Sequence, residues 1–445
     1  MRILIFTASA GNGHNSAANR IAEKFKKEQA DCEIEIVDAY KEYASKISAW
    51  VIEKGYFFAC NYLLDIYNHF FKLQEKQDIM KSDKSDANRQ TYELMHGMLK
   101  KIYDFKPDLI ICTYFYTAIA MANLKRVYKI PAKVACMTLD YGVSPFWQCA
   151  PKGLDYMFLT DESMIEPFIQ RGYKREQLYV TGIPVSEKFW ASKNKMECRK
   201  LLNLDPEMFT LIIMKASFFP IPEQVLISQL KKINTPIQVV IINGSSKESQ
   251  KKIDKILKHT STHHKIFNIG YTNQIPEYLF ACDIVLGKAG GLTTTETLTI
   301  GKPSLIIDKL PQQEIYNRNY LVENGCALVV TRKDIAKKIE MLVKDNNLYA
   351  NLVESVAKVK KTNAVDEIYK ILKNIEKTDY SSIMFDDTKK ETIKKVNIQR
   401  KLDIKKDNKV KSSKKRRKKQ LYKIIKKSPL RTKSHKNEKK KRHVE

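Results

Sequence analysis

The ten residues from Gly287 to Glu296 form the clearest chemical motif of the 445-residue chain. They read Gly-Lys-Ala-Gly-Gly-Leu-Thr-Thr-Thr-Glu and follow a short apolar run, so they are predicted to join a strand to a helix. Paired glycines let the backbone approach a ligand, and the first turn of a helix offers unpaired N–H groups to an anion. We therefore predict a diphosphate site at Gly290 and Gly291, with a hydroxyl donor from Thr293. Glu296 lies one helical turn further on and would reach a ribose hydroxyl.

A second motif, Gly11-Asn12-Gly13-His14, lies between the first predicted strand and helix. A neutral imidazole here would face the cleft above the sheet, where it could take a proton from an acceptor hydroxyl. Two other interpretations stay open. His14 could cap the helix or bond the loop, or the turn could be a dinucleotide site in which Ser16 replaces the third glycine and Asp38 is the expected acid.

A third group of polar residues follows a later predicted strand and consists of Gln313, Glu314 and Asn317. In open α/β sheets ligands bind at the carboxyl ends of the strands, and amide and carboxylate groups suit the hydroxyls of a sugar. The alternative is a purely structural loop and helix cap.

Short apolar runs alternate with helical stretches along most of the chain, which is the pattern of parallel strands joined by crossover helices. The polar stretch after Pro184 separates two such series. We predict an α/β protein with two doubly wound, Rossmann-type domains that face a cleft. The expected ranges are 1–190 and 205–345 for the domains, 346–377 for C-terminal helices, and 378–445 for a disordered Lys-rich tail.

An aromatic-rich insertion over about 47–80 interrupts the first series. It is predicted to form one or two amphipathic helices, either packed on the sheet or lying in a membrane interface. The aromatic residues considered for a lipid contact are Trp50, Tyr56, Phe57 and Phe58.

The net charge of +29 is concentrated at the C-terminus, because residues 389–445 carry 26 of the 79 basic side chains and only 5 of the 50 acidic ones. Such a segment could bind an anionic membrane surface or nucleic acid, or remain solvated without a partner. The membrane is favoured here because it agrees with the acceptor considered below, and nucleic acid is disfavoured.

Composition excludes several other classes of protein. The eight cysteines are scattered without a Cys-x-x-Cys pair, which argues against a zinc ribbon or a disulfide framework and for the cytosol. No Asp-x-Asp motif or His/Asp cluster suggests a bound metal, and the absence of a Gly-Lys-Ser/Thr P-loop disfavours nucleoside triphosphate hydrolysis. No apolar run approaches the length of a membrane-spanning helix.

Taken together, the motifs resemble those of the two-domain GT-B glycosyltransferases. More narrowly, residues 1–375 resemble the monogalactosyldiacylglycerol synthase and processive diacylglycerol glucosyltransferase family. The segments that carry this resemblance are Gly11-Asn12-Gly13-His14, Thr181-Gly182-Ile183-Pro184, Lys288-Ala289-Gly290-Gly291 with Glu296, and Gln313-Glu314 with Asn317.

The resemblance implies a donor domain for a UDP-sugar and an acceptor domain for a lipid. His14 would be the base that removes the acceptor proton, assisted by Asp140, while Tyr141 and Trp147 would lie on the acceptor side. The family's acceptor-side stretch is altered, since Leu139 and Ser144 replace its Thr and His. The implied donor-binding residues are Gly13, Gly270, Tyr271, Lys288, Gly290, Gly291, Leu292, Thr293, Glu296, Gln313, Glu314 and Asn317.

The activity implied by the resemblance is transfer of glucose or galactose from its UDP-sugar to the hydroxyl of diacylglycerol or a related lipid, with inversion to a β-glycoside. The UDP-sugar is a substrate, and no cofactor or protein-bound metal is expected. The enzyme would act from the cytoplasm, on the inner face of the cell membrane. The alternatives are transfer to another acceptor, such as a lipid-linked cell-wall intermediate, or a catalytically weak UDP-sugar-binding protein.

Overall fold

A computed structural model of the protein describes residues 1–9, 11–76, 86–144, 146–147, 153–191, 193–215, 219–381, 385 and 387–402. The side chains of some helical residues, Tyr56 and Phe57 among them, lie outside this description. The expected contacts of these two aromatic residues therefore stay predictions, as does the predicted disorder of residues 403–445.

The first domain is built on a six-stranded parallel sheet with the order β2-β1-β3-β4-β5-β6. The strands are β1 (Arg2–Thr7), β2 (Glu33–Asp38), β3 (Leu109–Cys112), β4 (Lys133–Met137), β5 (Tyr156–Leu159) and β6 (Leu178–Val180). The helices are α1 (Asn12–Glu28), α2 (Ala39–Tyr43), α3 (Lys46–Trp50), α4 (Tyr56–Tyr62), α5 (Leu64–Lys76), α6 (Asp86–Phe105), α7 (Phe115–Tyr128) and α8 (Ile165–Gln170).

The second domain repeats this design with the order β12-β11-β10-β7-β8-β9. Its strands are β7 (Thr210–Met214), β8 (Gln238–Ile242), β9 (Lys265–Ile269), β10 (Ile284–Gly287), β11 (Ser304–Ile307) and β12 (Ala327–Val330). Its helices are α9 (Lys195–Leu201), α10 (Glu223–Leu230), α11 (Lys247–Lys258), α12 (Ile275–Ala281), α13 (Gly291–Ile300), α14 (Gln312–Glu323), α15 (Ile335–Lys344) and α16 (Asn346–Val359).

The inner strands of each sheet are mainly apolar because helices cover both faces, whereas the edge strands β2 and β9 also carry polar residues. In β1, Leu4 and Phe6 belong to one buried cluster, while Ile3 and Ile5 belong to another on the opposite face. This alternation follows from the two-residue period of a strand. The prediction of two doubly wound α/β domains is confirmed.

The chain passes between the domains twice. After β6 it enters the second domain, where Val185 is buried beside β7 and β8. It returns after α16 through α17 (Ala364–Leu372), whose Ile368 and Leu372 are buried against the first sheet. The two passages touch, because a Cβ built on Gly182 would lie 3.3 Å from Cδ of Lys361.

The beginning of the predicted tail folds back onto the first domain, which corrects the predicted boundary at residue 378. Helical residues 389–402 form α18, whose Thr392 and Val396 are buried. Tyr380 is also buried and donates a hydrogen bond to the carbonyl oxygen of Pro107 at 2.8 Å. The ring of Phe385 stacks on Tyr103 of α6, with 4.9 Å between the ring centroids. This segment is therefore part of the first domain despite its many lysines.

The insertion after β2 consists of the helices α3, α4 and α5. It exposes several large apolar side chains, including Trp50 at 55 % and Phe58 at 52 % of their full accessible surface. One face of the insertion is therefore an apolar surface, although Phe71 packs inward, and its other exposed apolar residues are Ile47, Val51, Tyr62, Leu63, Ile66, Phe70 and Leu73. None of the helices in the described part of the chain combines the length and apolar character that crossing a bilayer requires.

Candidate active site between the two domains

The strand order places the site. In the first sheet the direction of winding reverses between β1 and β3, and in the second it reverses between β7 and β10. Ligands of open α/β sheets bind at the carboxyl ends of strands beside such a switch point. His14 follows β1, and Gly290 and Gly291 follow β10, so both predicted motifs lie at these positions.

His14 lies at the start of α1, where its ring nitrogen Nδ1 is 2.6 Å from the carbonyl oxygen of Thr113. A carbonyl oxygen only accepts hydrogen bonds, so Nδ1 carries the proton and donates it. In the neutral ring Nε2 then keeps its lone pair. Burial lowers the pKa of His14 from its usual 6.5, more than the hydrogen bond to Thr113 raises it. The contacts therefore favour the tautomer and charge state that a general base needs.

The N-terminus of α13 faces the start of α1 across the domain boundary. A Cβ built on Gly13 would lie 3.8 Å from Cβ of Leu292, so the two helix starts adjoin each other. Gly290 precedes the helix in an extended conformation, and no side chain caps the helix at this position. Thr293 is half-buried on the first turn. The N–H groups of a first helical turn have no partner within the helix, which is what an anion site requires, and binding of a diphosphate here stays a prediction.

Glu296 is half-buried on α13, one turn inside the helix. Burial raises the pKa of its carboxyl to about 8, against the opposing positive charge of Arg20 on α1. The hydrogen bonds and ion pairs of the described residues include none to Glu296. A ribose hydroxyl that donates to the Glu296 carboxyl group would supply the hydrogen-bond partner that this group lacks among the described residues.

Lys288 and Glu314 form an ion pair beside the glycine turn, through Glu314 Oε1. Glu314 is buried, and its second oxygen, Oε2, is enclosed without a hydrogen-bond partner among the described residues. A Cβ built on Gly290 would lie 3.3 Å from the lysine Nζ, so the pair lines the turn directly. An unpaired buried acceptor is costly unless a ligand satisfies it, and a sugar hydroxyl would do so.

Asn317 is completely buried and connects the two domains. Its Nδ2 donates to Asp140 Oδ1 and to the carbonyl oxygen of Ala289, both at 2.8 Å. Its Oδ1 accepts from the backbone N–H of Tyr141 at 2.6 Å. Because both ends of the amide are engaged, its predicted contact with a donor sugar has no free group in this arrangement and stays a prediction.

Asp140 lies in this interdomain cluster rather than beside the base. Burial raises the pKa of its carboxyl to about 7, the charge of Glu314 adds to the rise, and Asn317 and Lys288 oppose it. No hydrogen bond between Asp140 and His14 occurs in the described part of the structure. The expected assistance of Asp140 to His14 is therefore not supported by a direct contact.

The two aromatic residues predicted near the acceptor have different surroundings. The hydroxyl of Tyr141 lies 3.0 Å from Oγ1 of Thr295, and its ring stacks on Tyr320 with centroids 4.4 Å apart. Trp147 is only 5 % exposed and packs edge-on against Phe115. A direct contact of Trp147 with a membrane does not fit this burial, and its predicted place on the acceptor side stays a prediction.

Gln313 accepts a hydrogen bond at 2.8 Å from the hydroxyl of Tyr67 on α5. Local sequence spacing does not predict this hydrogen bond, because its partners are 246 positions apart. The contact of Tyr316 with Gly142 is equally absent from the local spacing. The tyrosine packs so closely on this glycine that a Cβ built on Gly142 would lie 2.2 Å from Cβ of Tyr316. Nothing in local spacing distinguishes these residues from ordinary core aromatics.

The predicted uracil contacts lie at the end of β9. Tyr271 is exposed, and its hydroxyl donates to Asn273 at 2.8 Å. Gly270 lies against the side chain of Gln250, which a Cβ would have to displace because it would lie 2.7 Å from Oε1. Their contact with a base stays a prediction.

The domains are in contact across the site. A Cβ built on Gly291 would lie 1.8 Å from the carbonyl oxygen of Leu139, so the first domain stands directly against the start of α13. The carbonyl group of Leu139 occupies the space beside this helix start, so a nucleotide that binds there needs the loop after β4 to move aside. No metal-binding group of His, Cys, Asp or Glu side chains occurs within the described residues.

Comparisons with known proteins agree with this geometry. Residues 14–185 match the family model of monogalactosyldiacylglycerol (MGDG) synthase, and residues 220–375 match the glycosyltransferase family 28 C-terminal domain. Proteins named processive diacylglycerol β-glucosyltransferase, from Staphylococcus saprophyticus and from Staphylococcus aureus strain Newman, are each 27 % identical over 360 residues. These matches cover 80 % of this chain and 88 % of each relative.

Solved structures share the fold at lower identity. MurG from Acinetobacter baumannii superposes with a TM-score of 0.56 at 13 % identity and covers 84 % of this chain and 99 % of its own. UDP-GlcNAc 2-epimerase from Neisseria meningitidis, bound to UDP-GlcNAc, gives 0.54 at 15 % identity over 84 % and 100 % of the two chains. The architecture is therefore GT-B-like, as predicted.

Proposed function

We propose that this chain, a glycosyltransferase with an MGDG synthase domain followed by a family 28 C-terminal domain, transfers a hexose from a UDP-sugar to the hydroxyl of diacylglycerol. The names of the similar staphylococcal proteins support the lipid acceptor. Glucose or galactose is the proposed sugar, and inversion to a β-glycoside the proposed outcome.

One observation carries the proposal: the starts of α1 and α13 adjoin each other at Gly13 and Leu292. The start of α1 carries His14 as the proposed base, and the start of α13 carries the proposed anion site. Transfer of a hexose from UDP needs a group that removes a proton from the acceptor and a group that stabilises the leaving diphosphate. The two adjoining helix starts would supply both where the domains meet.

In the proposed reaction, Nε2 of His14 takes the proton of the lipid hydroxyl as its oxygen attacks the anomeric carbon. The bond from that carbon to the diphosphate oxygen breaks, and UDP leaves. The N–H groups and dipole of α13 stabilise the charge that develops on the diphosphate. Glu296 would bind the ribose, and Glu314 Oε2 a hexose hydroxyl.

The acceptor lies in a bilayer, so the enzyme has to work at a membrane surface, proposed to be the inner face of the cell membrane. The exposed apolar residues of α3–α5, Trp50 and Phe58 among them, suit insertion between lipid headgroups. The Lys-rich residues 403–445 add charge that an anionic leaflet attracts at about 1 kcal/mol per Lys or Arg. Helix α18 packs on the first domain, which also carries the apolar surface of α3–α5. The Lys-rich residues that follow α18 are therefore attached to the same domain as that surface.

The direct test is incubation of the purified full chain with radiolabelled UDP-glucose or UDP-galactose and vesicles that contain diacylglycerol. We expect a labelled glycolipid, with a β-linkage seen in the proton coupling of its anomeric carbon. Parallel vesicles with a lipid-linked cell-wall sugar test the other acceptor class. Labelled product only with that acceptor would replace diacylglycerol, and no labelled lipid from any UDP-hexose would refute the proposal.

A further inference from the structure

Helix α5 has two faces with different surroundings. One face exposes Ile66, Phe70 and Leu73, which are spaced four and three residues apart and so share one side of the helix. The other face carries Tyr67 and Asn68, which are partly buried and point toward the second domain, as their hydrogen bonds show. The inserted helix therefore reaches from the surface of the acceptor domain to the donor domain.

The inner face of α5 holds both sides of the turn that precedes α14. The hydroxyl of Tyr67 donates to Oε1 of Gln313 at 2.8 Å. Nδ2 of Asn68 donates to the carbonyl oxygen of Leu310 at 2.9 Å. Between these two points lies Pro311, the N-cap residue of α14. Two hydrogen bonds on either side of a short turn fix its position relative to the helix that makes them.

Aromatic packing supports the same contact. The ring of Phe71, also on α5, lies 6.5 Å from that of Tyr316 on α14 and 5.9 Å from that of Phe146 in the first domain. Tyr316 in turn packs on the backbone of Gly142. The hydrogen bonds of Tyr67 and Asn68 are therefore made at a packed interface, where water competes poorly for their groups.

The Tyr67 hydrogen bond determines how the Gln313 amide is presented. A tyrosine hydroxyl donates to the amide oxygen, so the NH₂ group of Gln313 is directed away from Tyr67 and remains a donor. The next residue, Glu314, contributes an acceptor, its unpartnered Oε2. A hexose hydroxyl meeting this pair finds a donor and an acceptor in fixed places. Two hexoses that differ in the direction of one hydroxyl would be distinguished by such a pair.

We propose that Tyr67 and Asn68 are positioning residues that select the hexose of the nucleotide sugar, by holding the Leu310–Gln313 turn from the acceptor domain. This inference rests on the proposed function, because it assigns the hexose-binding part of the same site. It makes the inserted helix a determinant of donor choice, in addition to any contact with lipid.

The test compares binding of UDP with binding of UDP-hexoses, by calorimetry on the full chain. Tyr67→Phe removes one hydroxyl and keeps the ring, so the turn stays packed but the Gln313 amide can rotate. We expect affinity for the preferred UDP-hexose to fall about threefold to tenfold, the size of one hydrogen bond. Affinity for UDP itself should not change. The ratio of kcat/KM for UDP-glucose and UDP-galactose should move toward one by a similar factor, and Asn68→Ala should act in the same direction.

Tyr380→Phe is the matched control, because it also removes one buried tyrosine hydrogen bond to the protein, at the amino end of the first sheet. It should leave both UDP and UDP-hexose binding unchanged. In a Gln313→Ala background, Tyr67→Phe should have no further effect on hexose selectivity, since the group it orients is gone.

The outcomes separate this inference from the function on which it rests. If the wild-type chain binds and transfers a UDP-hexose while Tyr67→Phe keeps its hexose affinity and selectivity, the inference is overturned and the function stands. Equal losses for UDP and UDP-hexose would also overturn it, because they would indicate a general structural defect. If the wild-type chain binds no UDP-hexose, the proposed function itself fails.

Discussion

Asn317 of the second domain donates a hydrogen bond to Asp140 of the first at 2.8 Å, and this carboxyl is buried where the domains meet. Burial raises its pKa from 3.8 to about 7. The contact between the domains is therefore made most favourably when Asp140 carries a proton.

The first prediction concerns the pH dependence of this contact. A group whose pKa is higher in the closed arrangement than in the open one favours closure at low pH, and this advantage is lost as pH rises through about 7. We expect the equilibrium constant for closure to fall between pH 5 and pH 7, by up to about tenfold per pH unit, and then to level off. Energy transfer between dyes on the two domains measures it. Asp140→Asn should remove the dependence, and a variant that keeps it would contradict this assignment.

The second prediction is that His14 acts as a base that is already neutral at physiological pH. Its lowered pKa places the acid limb of kcat/KM below pH 6.5. His14→Ala should reduce kcat about a hundredfold to ten-thousandfold, the usual range for a general base. UDP binding by calorimetry serves as the control and should be retained. An acid limb above pH 7, or nearly full activity of the variant, would exclude this role.

The third prediction links UDP binding to proton release from Glu296. Its pKa of about 8 keeps the free carboxyl largely protonated at pH 7, while a ribose hydroxyl donates best to the ionised form. Binding should therefore release protons at pH 7 and strengthen as pH rises toward 8. Calorimetry in buffers of different ionisation enthalpy measures the release. UDP itself also releases or takes up protons in this pH range, so the Glu296→Gln variant is measured as the reference. Equal proton release by the variant and the wild-type protein would rule out the role of Glu296.

The fourth prediction tests the returned C-terminal segment. A chain ending at residue 402 keeps the buried Tyr380 and Val396, whereas a chain ending at residue 377 loses them. We expect the shorter chain to be less stable by about 2–4 kcal/mol in the free energy of unfolding, from lost apolar burial set against regained chain entropy. Urea denaturation of the two proteins gives the difference. If they unfold at the same urea concentration, residues 378–402 do not belong to the domain.

The sequence predicted those features that depend on neighbouring residues. Buried parallel strands are apolar throughout, and a strand followed by paired glycines and a helix is a local pattern, so both domains and the turn before α13 could be expected. The position of His14 beside the carboxyl end of β1 is predictable for the same reason, because it depends only on the first strand and the helix that follows it.

Features that depend on distant contacts were not predictable in this way. The many lysines of residues 389–402 suggested a solvated tail, yet the few apolar side chains among them, such as Val396, are those that pack. Trp147 packs in the core of the first domain, which the motif around it does not reveal. The hydrogen bond between Tyr67 and Gln313 joins two separate domains, and the residue spacing within either segment does not predict it.

The two passages of the chain between the domains meet at Gly182 and Lys361, and so form one hinge rather than two. Opening of the enzyme is then a rotation of one domain relative to the other about this single hinge. Contacts near the axis, such as Tyr141 with Thr295, would shift little during the swing. The hydrogen bond of Tyr67 with Gln313 also joins the two domains, so it has to break when they rotate apart to admit substrate.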